Sequence, residues 1–291
     1  MSTDEQTIIT DITTTTVDNE QTLFEDDFLD VNEIDEVDEI NNLPLLDMDE
    51  KLPDIELKSV KEIQLVLGNL SYETIRKVLY KKYGLIVKDD VSIKNLYMIT
   101  YNKKENQKKY VKLTLDDEKL LDEYRGLILE KDTNKLLCYT FDRMHRRIPD
   151  EWDLKDCTVT QTYDGSQIKI FYHETNKMWV TSTTRKINAS NAYFFSNKSF
   201  LEMFCDASHN LNWNKLDKKC CYSFVLSHPD NRIIEKHNKP YITHVLTRDM
   251  TTLEHVLDDN IGVLKPTVVN VLSKKDLFNK MGFNQTTVKG V

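Results

Sequence analysis

The chain has 291 residues, enough for one large domain or two modest ones, and 40% apolar with 30% charged residues is ordinary for a soluble globular protein. No apolar run approaches the roughly 18 to 20 residues that a membrane span needs, so no membrane partner is expected. The acidic, polar start from Met1 to Glu5 is unlike a secretory signal or an Arg-rich transit peptide, and a cytoplasmic location is expected. The five cysteines (Cys138, Cys157, Cys205, Cys220 and Cys221) lack paired-ligand spacing, as do the seven histidines, which predicts a reduced protein without a zinc site.

The net charge of -9 joins two opposite halves. Residues 1–55 hold 18 acidic residues against Lys51, a net of -17. Taking these from the totals of 48 acidic and 39 basic leaves 30 and 38, a net of +8 for 56–291. A basic body with an acidic leader suits a polyanionic partner such as RNA, because Lys and Arg displace the counterions of phosphates. A solvated Lys-rich surface explains the same count. The Asn- and Lys-rich composition also points to an AT-rich, viral genome.

In chain order, residues 1–55 are predicted to be a disordered acidic leader, too charged and too poor in apolar residues to offset the entropy of ordering. Phe24, Phe28, Leu29, Ile34 and Leu45 within it suit a short protein-binding segment. The leader could equally fold back over the basic body and compete with nucleic acid. Residues 56–92 read as a helical subdomain. Val60, Ile63, Val66 and Leu67 have helical spacing, and a second helix runs from Ser71 to about Lys82 and is stopped by Gly84.

From residue 93 to 291 the pattern turns to strands. Asn95–Thr100 reads as a strand, Thr114–Tyr124 as a helix, and Arg125–Phe141 as a hairpin turning at Asp-Thr-Asn-Lys. A second hairpin spans Ser166–Thr183, with further strands at Cys157–Thr162, Tyr222–Leu226 and Tyr241–Leu246. Helices are expected near Ser199–Cys205 and Ser273–Met281. The sum is an α+β domain of curved antiparallel sheets with flanking helices.

Three segments could carry chemistry: Glu123–Glu130 (EYRGLILE), Val159–Tyr172 (VTQTYDGSQIKIFY) and Tyr222–Ile234 (YSFVLSHPDNRII). Taken alone, Tyr163-Asp164-Gly165-Ser166 and His228-Pro229-Asp230-Asn231 are turns. Taken in order, they resemble the covalent nucleotidyltransferase superfamily, in particular the phage-type RNA ligases and their large-DNA-virus relatives. Those proteins carry R-G-L-I-x-(D/E), then E-K-x-D-G-S with a strand, then F-E-x-x-S-P-x-N-R-(I/V). Here Arg125-Gly126-Leu127-Ile128-Leu129-Glu130 matches the first. Asp164-Gly165-Ser166 matches part of the second, and Phe224 with Pro229-Asp230-Asn231-Arg232-Ile233-Ile234 matches the third.

The resemblance covers about Asn95 to Val291 and implies a nucleotidyltransferase fold that binds ATP and RNA ends. It departs where the family does its chemistry. The lysine that takes AMP as a phosphoramidate is replaced by Thr162, whose hydroxyl is not an amine. Gln161 replaces the preceding glutamate, Val225 replaces a carboxylate, and Lys289 stands for a metal-binding glutamate, so a Mg²⁺ site is not expected. No K-x-K strand follows. The expectation is therefore a pseudoenzyme with no catalytic residue. Its nucleotide site would comprise Thr162, Asp164, Gly165, Ser166, Arg125, Gly126, Arg143, Arg185, Phe224 and Lys289. In that site Arg125, Arg143 and Arg185 would face phosphates, with His145, Arg146 and Arg147 beside Arg143. Lys169, on the strand after the loop, is the candidate for a displaced nucleophile. An active ATP-dependent RNA ligase with parts elsewhere, and an adaptor that keeps the fold as scaffold, are the other two readings.

Overall fold

The computed structural model describes residues 51–101, 120–142, 153–256 and 260–280. Near the start, a 3-10 turn at Val60–Glu62 leads into α1 (Ile63–Leu67), and α2 follows at Tyr72–Tyr83. The ends of α2 are set by side chain and backbone alike. The Ser71 hydroxyl accepts the Thr74 amide, and Gly84, at φ 66°, donates its N–H to the Leu79 and Tyr80 carbonyls. Ile75, Val78, Leu79 and Tyr83 form the buried stripe of this helix.

Two four-stranded antiparallel sheets follow. The first has the order β1 (Leu85–Asp89), β2 (Leu96–Tyr101), β3 (Arg125–Glu130), β4 (Leu136–Cys138). The second contains β5 (Ser166–His173), β6 (Met178–Ser182), β7 (Cys220–Ser227) and β8 (Tyr241–Asp249), in the order β6-β5-β7-β8. Helix α3 (Phe200–Ala207) begins with a reciprocal cap between Ser199 and Glu202, and α4 (Lys274–Lys280) comes last.

Alternation along the strands assigns the layers. On β2, Tyr97 and Ile99 join Ile63, Leu67, Ile75 and Leu79 of the helices, whereas Leu96 and Met98 meet Phe171, Val180 and Cys221 of the second sheet. Both faces of β2 are covered, which explains its near-continuous apolar run. On β5, Ile168 and Ile170 point outward beneath Met203 and Phe204 of α3, and Phe171 points inward. The molecule is thus an α+β stack: helices, first sheet, second sheet, helix.

Most expected elements are present, with three differences. The strand β1 has no counterpart in the sequence expectation. Cys157–Thr162 is not a regular strand; a 3-10 turn at Leu154–Asp156 is followed by one bridge, Thr160 to Val268, because its partner is an irregular stretch rather than a strand. The segment 56–92 is not set apart as a subdomain, since its helices share one core with Leu127 and Leu129 of β3. Of the helix expected over Thr114–Tyr124, only Leu120 and Leu121 are both described and helical. The acidic leader up to residue 50 lies outside the described residues.

Candidate functional site

Strand pairing brings two of the three segments together. Strands β5 and β7 run antiparallel with Ser166 opposite Leu226, so the residues before β5 and those after β7 emerge at the same end. They are stitched to each other there. The Asp164 carboxylate accepts the amides of Ile234 and Glu235, both at 3.0 Å through Oδ2, and His237 Nε2 lies 3.7 Å from the same oxygen. The Ser227 hydroxyl donates to the Asp164 carbonyl at 2.7 Å. Buried Asn231 donates to the Ser166 hydroxyl at 3.1 Å and to the Leu226 carbonyl at 3.3 Å. Gly165 is packed against the Leu226 carbonyl, where a Cβ would collide with it.

The remaining segment meets them across the seam between the sheets. Gln167, Lys169, Phe171 and His173 are the inward positions of β5. The Lys169 ammonium, 1% exposed, donates to the Gly126 carbonyl at the start of β3. Burial pushes its pKa down. Gly126 is needed in both conformation and space. Its φ is 74°, and a Cβ would come within 2.5 Å of the Thr184 carbonyl and 2.8 Å of Lys169 Nζ. Gly126 therefore lies against Thr184, the neighbour of Arg185.

Towards the loops the seam becomes polar. Gln167 donates to the Ser223 hydroxyl at 2.9 Å and contacts the Thr140 hydroxyl at 3.3 Å. Val225, half-buried, pairs with Thr243, whose buried hydroxyl has no hydrogen-bond partner. Arg248 fixes the strand-end segment 139–142. It donates from Nε to the Thr140 carbonyl at 2.9 Å, meets Asp142 at 3.1 Å and lies 4.3 Å over the Tyr139 ring.

The expected site residues divide accordingly. Thr162 is exposed just beyond a short ladder in which Gln161 donates to the Thr267 carbonyl. Asp164, Gly165 and Ser166 are half-buried and form the stitched loop. Gly126 is buried, Arg125 exposed and Arg185 half-buried, on the side of the seam where Lys169 meets Gly126. Phe224 needs correction as a ligand contact. It points outward, fully buried, with Phe204 at 5.7 Å and His244 at 5.3 Å. Lys169 is likewise committed to Gly126 rather than facing solvent. Arg143, with its basic neighbours, and Lys289 lie outside the described residues.

Sequence reasoning missed Gln167, Ser223, Thr243 and Arg248. Their available signal was polar residues at alternate positions of otherwise apolar strands, as in Ser-Gln-Ile-Lys-Ile. Among the described residues, no three His, Cys, Asp or Glu side chains gather as a metal-holding group.

No family model matches the chain. It is 33% identical over 85 residues to an "Immediate-early protein ICP-46 homolog" of Invertebrate iridescent virus 3, covering 27% of this chain and 18% of that protein. It is also 23% identical over 184 residues to "Immediate-early protein ICP-46" of Frog virus 3 (isolate Goorha), covering 54% of this chain and 44% of that protein. The relatives are viral, and the chain spans less than half the length of either. No helix among the described residues is long and apolar enough to cross a membrane.

Proposed function

We propose that the chain is an RNA-ligase-like pseudoenzyme that binds a nucleotide or a 5′-phosphorylated RNA end at the polar mouth of the seam, without transferring AMP. The observation that carries this reading is the meeting of three sequence-distant segments. Arg125-Gly126 is joined through Lys169 to the strand that begins at Ser166, and Asp164-Gly165-Ser166 is stitched to Leu226–Glu235. Arg125 and Arg185 supply guanidinium groups suited to bidentate phosphate contacts.

The missing chemistry follows from the residues at hand. Thr162 at the mouth has no amine to attack an α-phosphate, and the amine of Lys169 is buried against the Gly126 carbonyl. Half-buried Val225 offers no oxygen to a divalent cation. Binding is therefore expected to survive chelation of Mg²⁺. Asp164 acts by holding the loop, since its Oδ2 is engaged by two backbone amides.

The test is an intact-mass spectrum after incubation with ATP and Mg²⁺, together with ATP and 5′-phosphate RNA titrations. The natural chain should gain no mass; an adenylyl adduct on Thr162→Lys, formed with loss of pyrophosphate, would show that the nucleotide pocket persists. An adduct on the natural chain would overturn the pseudoenzyme reading. Absence of both ATP and RNA-end binding would overturn the binding reading.

A further inference from the structure

On the face of the second sheet that points away from the seam, an aromatic cluster is left uncovered. Tyr172 and Trp179 are cross-strand partners on β5 and β6, with ring centroids 5.4 Å apart in an edge-on arrangement. Buried Tyr222 of β7 backs Trp179 at 6.1 Å. Trp213 opens the 3-10 turn Trp213–Lys215 and stands 6.4 Å from Trp179, with 41% of its surface exposed. Helix α3 covers the neighbouring Ile168, Ile170 and Phe224 but leaves Tyr172 and Trp179 half-buried.

The rim of this cluster is basic. Lys218 holds its ammonium 4.3 Å from the Tyr172 ring centre; Lys177, Lys215 and Lys219 are exposed on the adjoining turns, the Lys215 ammonium donating to the Asn260 carbonyl at 3.1 Å. The nearby carboxylates are turned to backbone. Asp217 accepts the Lys219 amide at 2.9 Å, and Asp249 accepts the amides of Thr251 and Thr252 at 2.6 and 3.1 Å. Both keep their charge, and exposed Glu174, in the same turn as Lys177, adds another, so the four lysines outnumber these three carboxylates by one.

An exposed indole flanked by lysines presents a π-face to an unpaired base and cations to its phosphates, and it reads no sequence. We propose that the Trp213–Trp179–Tyr172 face is a binding site for single-stranded nucleic acid. It is separate from the seam and does not depend on the seam binding a nucleotide. One base stacks on Trp213, while Lys215, Lys218 and Lys219 neutralise the adjoining phosphates. A duplex, whose bases are already stacked on one another, has no free π-face to offer.

The experiment is fluorescence anisotropy with the full chain. Its labelled probes are an oligo-U RNA and an oligo-dT of about 12 nucleotides, within the usual footprint of such surfaces, and an RNA duplex of equal length. Both single strands should bind and the duplex only weakly; a large gap between RNA and DNA would assign the source. Trp213→Ala should weaken single-strand binding by roughly tenfold, the scale of one base stack removed. Lys218→Glu should weaken it too and lower the salt slope by about 0.7 for each phosphate that is no longer neutralised. Both changes are on the surface, and thermal melting checks that the fold persists. ATP binding, measured in parallel, should be unchanged in both variants, so a failure of the seam reading is distinguishable from a failure here. Duplex binding as tight as single-strand binding would overturn the proposal. So would an unaltered affinity in Trp213→Ala, or binding of an acidic peptide in place of the oligonucleotides.

Discussion

The helix-covered layer of the first sheet and the seam between the sheets are both buried, but by opposite means. The outer layer is mostly apolar: Ile63, Leu67, Ile75, Val78, Leu79, Tyr97, Ile99 and Leu129 fill it, its few buried polar groups, such as Asn134 and the Tyr97 hydroxyl, are paired, and α2 ends on capping residues. The seam places Lys169, His173, Gln167, Ser223 and Arg248 beside Phe171 and Val180. An apolar layer tolerates changes that keep its volume. A buried polar network has no such latitude, because each group that loses its partner costs the desolvation of that group.

The sharpest way to test this contrast is Gly126→Ala. The added methyl meets the Thr184 carbonyl and Lys169 at a residue already in the left-handed region. The variant is expected to lose about 4 kcal/mol or more in a urea melt, in the range that only specific strain or clash produces. A loss under about 1 kcal/mol would mean the seam can open to admit a methyl group.

A smaller effect is expected from Arg248→Ala. It removes the bonds to the Thr140 and Leu253 carbonyls and the stack on Tyr139, but leaves Asp142 half-exposed and able to reach water. A loss of about 3 kcal/mol is expected, below the full cost of stranding a buried charge. A much smaller loss in a volume-matched Arg248→Met than in Arg248→Ala would show that packing, not hydrogen bonding, carries the interaction.

The smallest effect is a pH dependence at His173. Burial lowers its pKa from the ordinary 6.5, and the nearby Glu130 at 3.9 Å only partly opposes this. The unfolded chain therefore takes up a proton before the folded one as pH falls through 6.5. Stability present above that value is lost as pH falls towards the lower folded value. Between about pH 8 and about pH 5, the Tm of His173→Leu should fall less than that of the natural chain. Equal falls would show that other groups dominate.

The same contrast explains what could be read from sequence. Both hairpins were legible because Asp-Thr-Asn-Lys and Glu-Thr-Asn-Lys interrupt alternating apolar strands, and α2 because Ser71 and Gly84 mark its ends. The strand β1 escaped notice because Leu-Ile-Val-Lys-Asp is short and follows the helix directly at Gly84, leaving no turn signal between them. Motif order pointed to Arg125-Gly126, Asp164–Ser166 and the Asn231 turn, which touch one another or are joined through Lys169. It also nominated Phe224, because motif matching takes no account of strand face. The two-residue period that turns Phe224 outward is the same one that turns Val225 inward. The Gly126 carbonyl that Lys169 meets and the Thr140 carbonyl that Arg248 meets were not legible at all, since each lies more than 40 residues away in sequence.

The pairing of β5 with β7 also governs where the chain can change length. The loops at one end of these strands are joined through Asp164, Ser166, Ser227 and Asn231. A residue inserted between Thr162 and Ser166, or between Ser227 and Asn231, would throw bonds across this pair of loops out of step. At the opposite end of β5, the turn Glu174–Lys177 is exposed and none of those four residues reaches it. Related chains should therefore vary in length at that turn and keep a fixed count at the stitched end. An epitope or fusion partner belongs at the turn for the same reason.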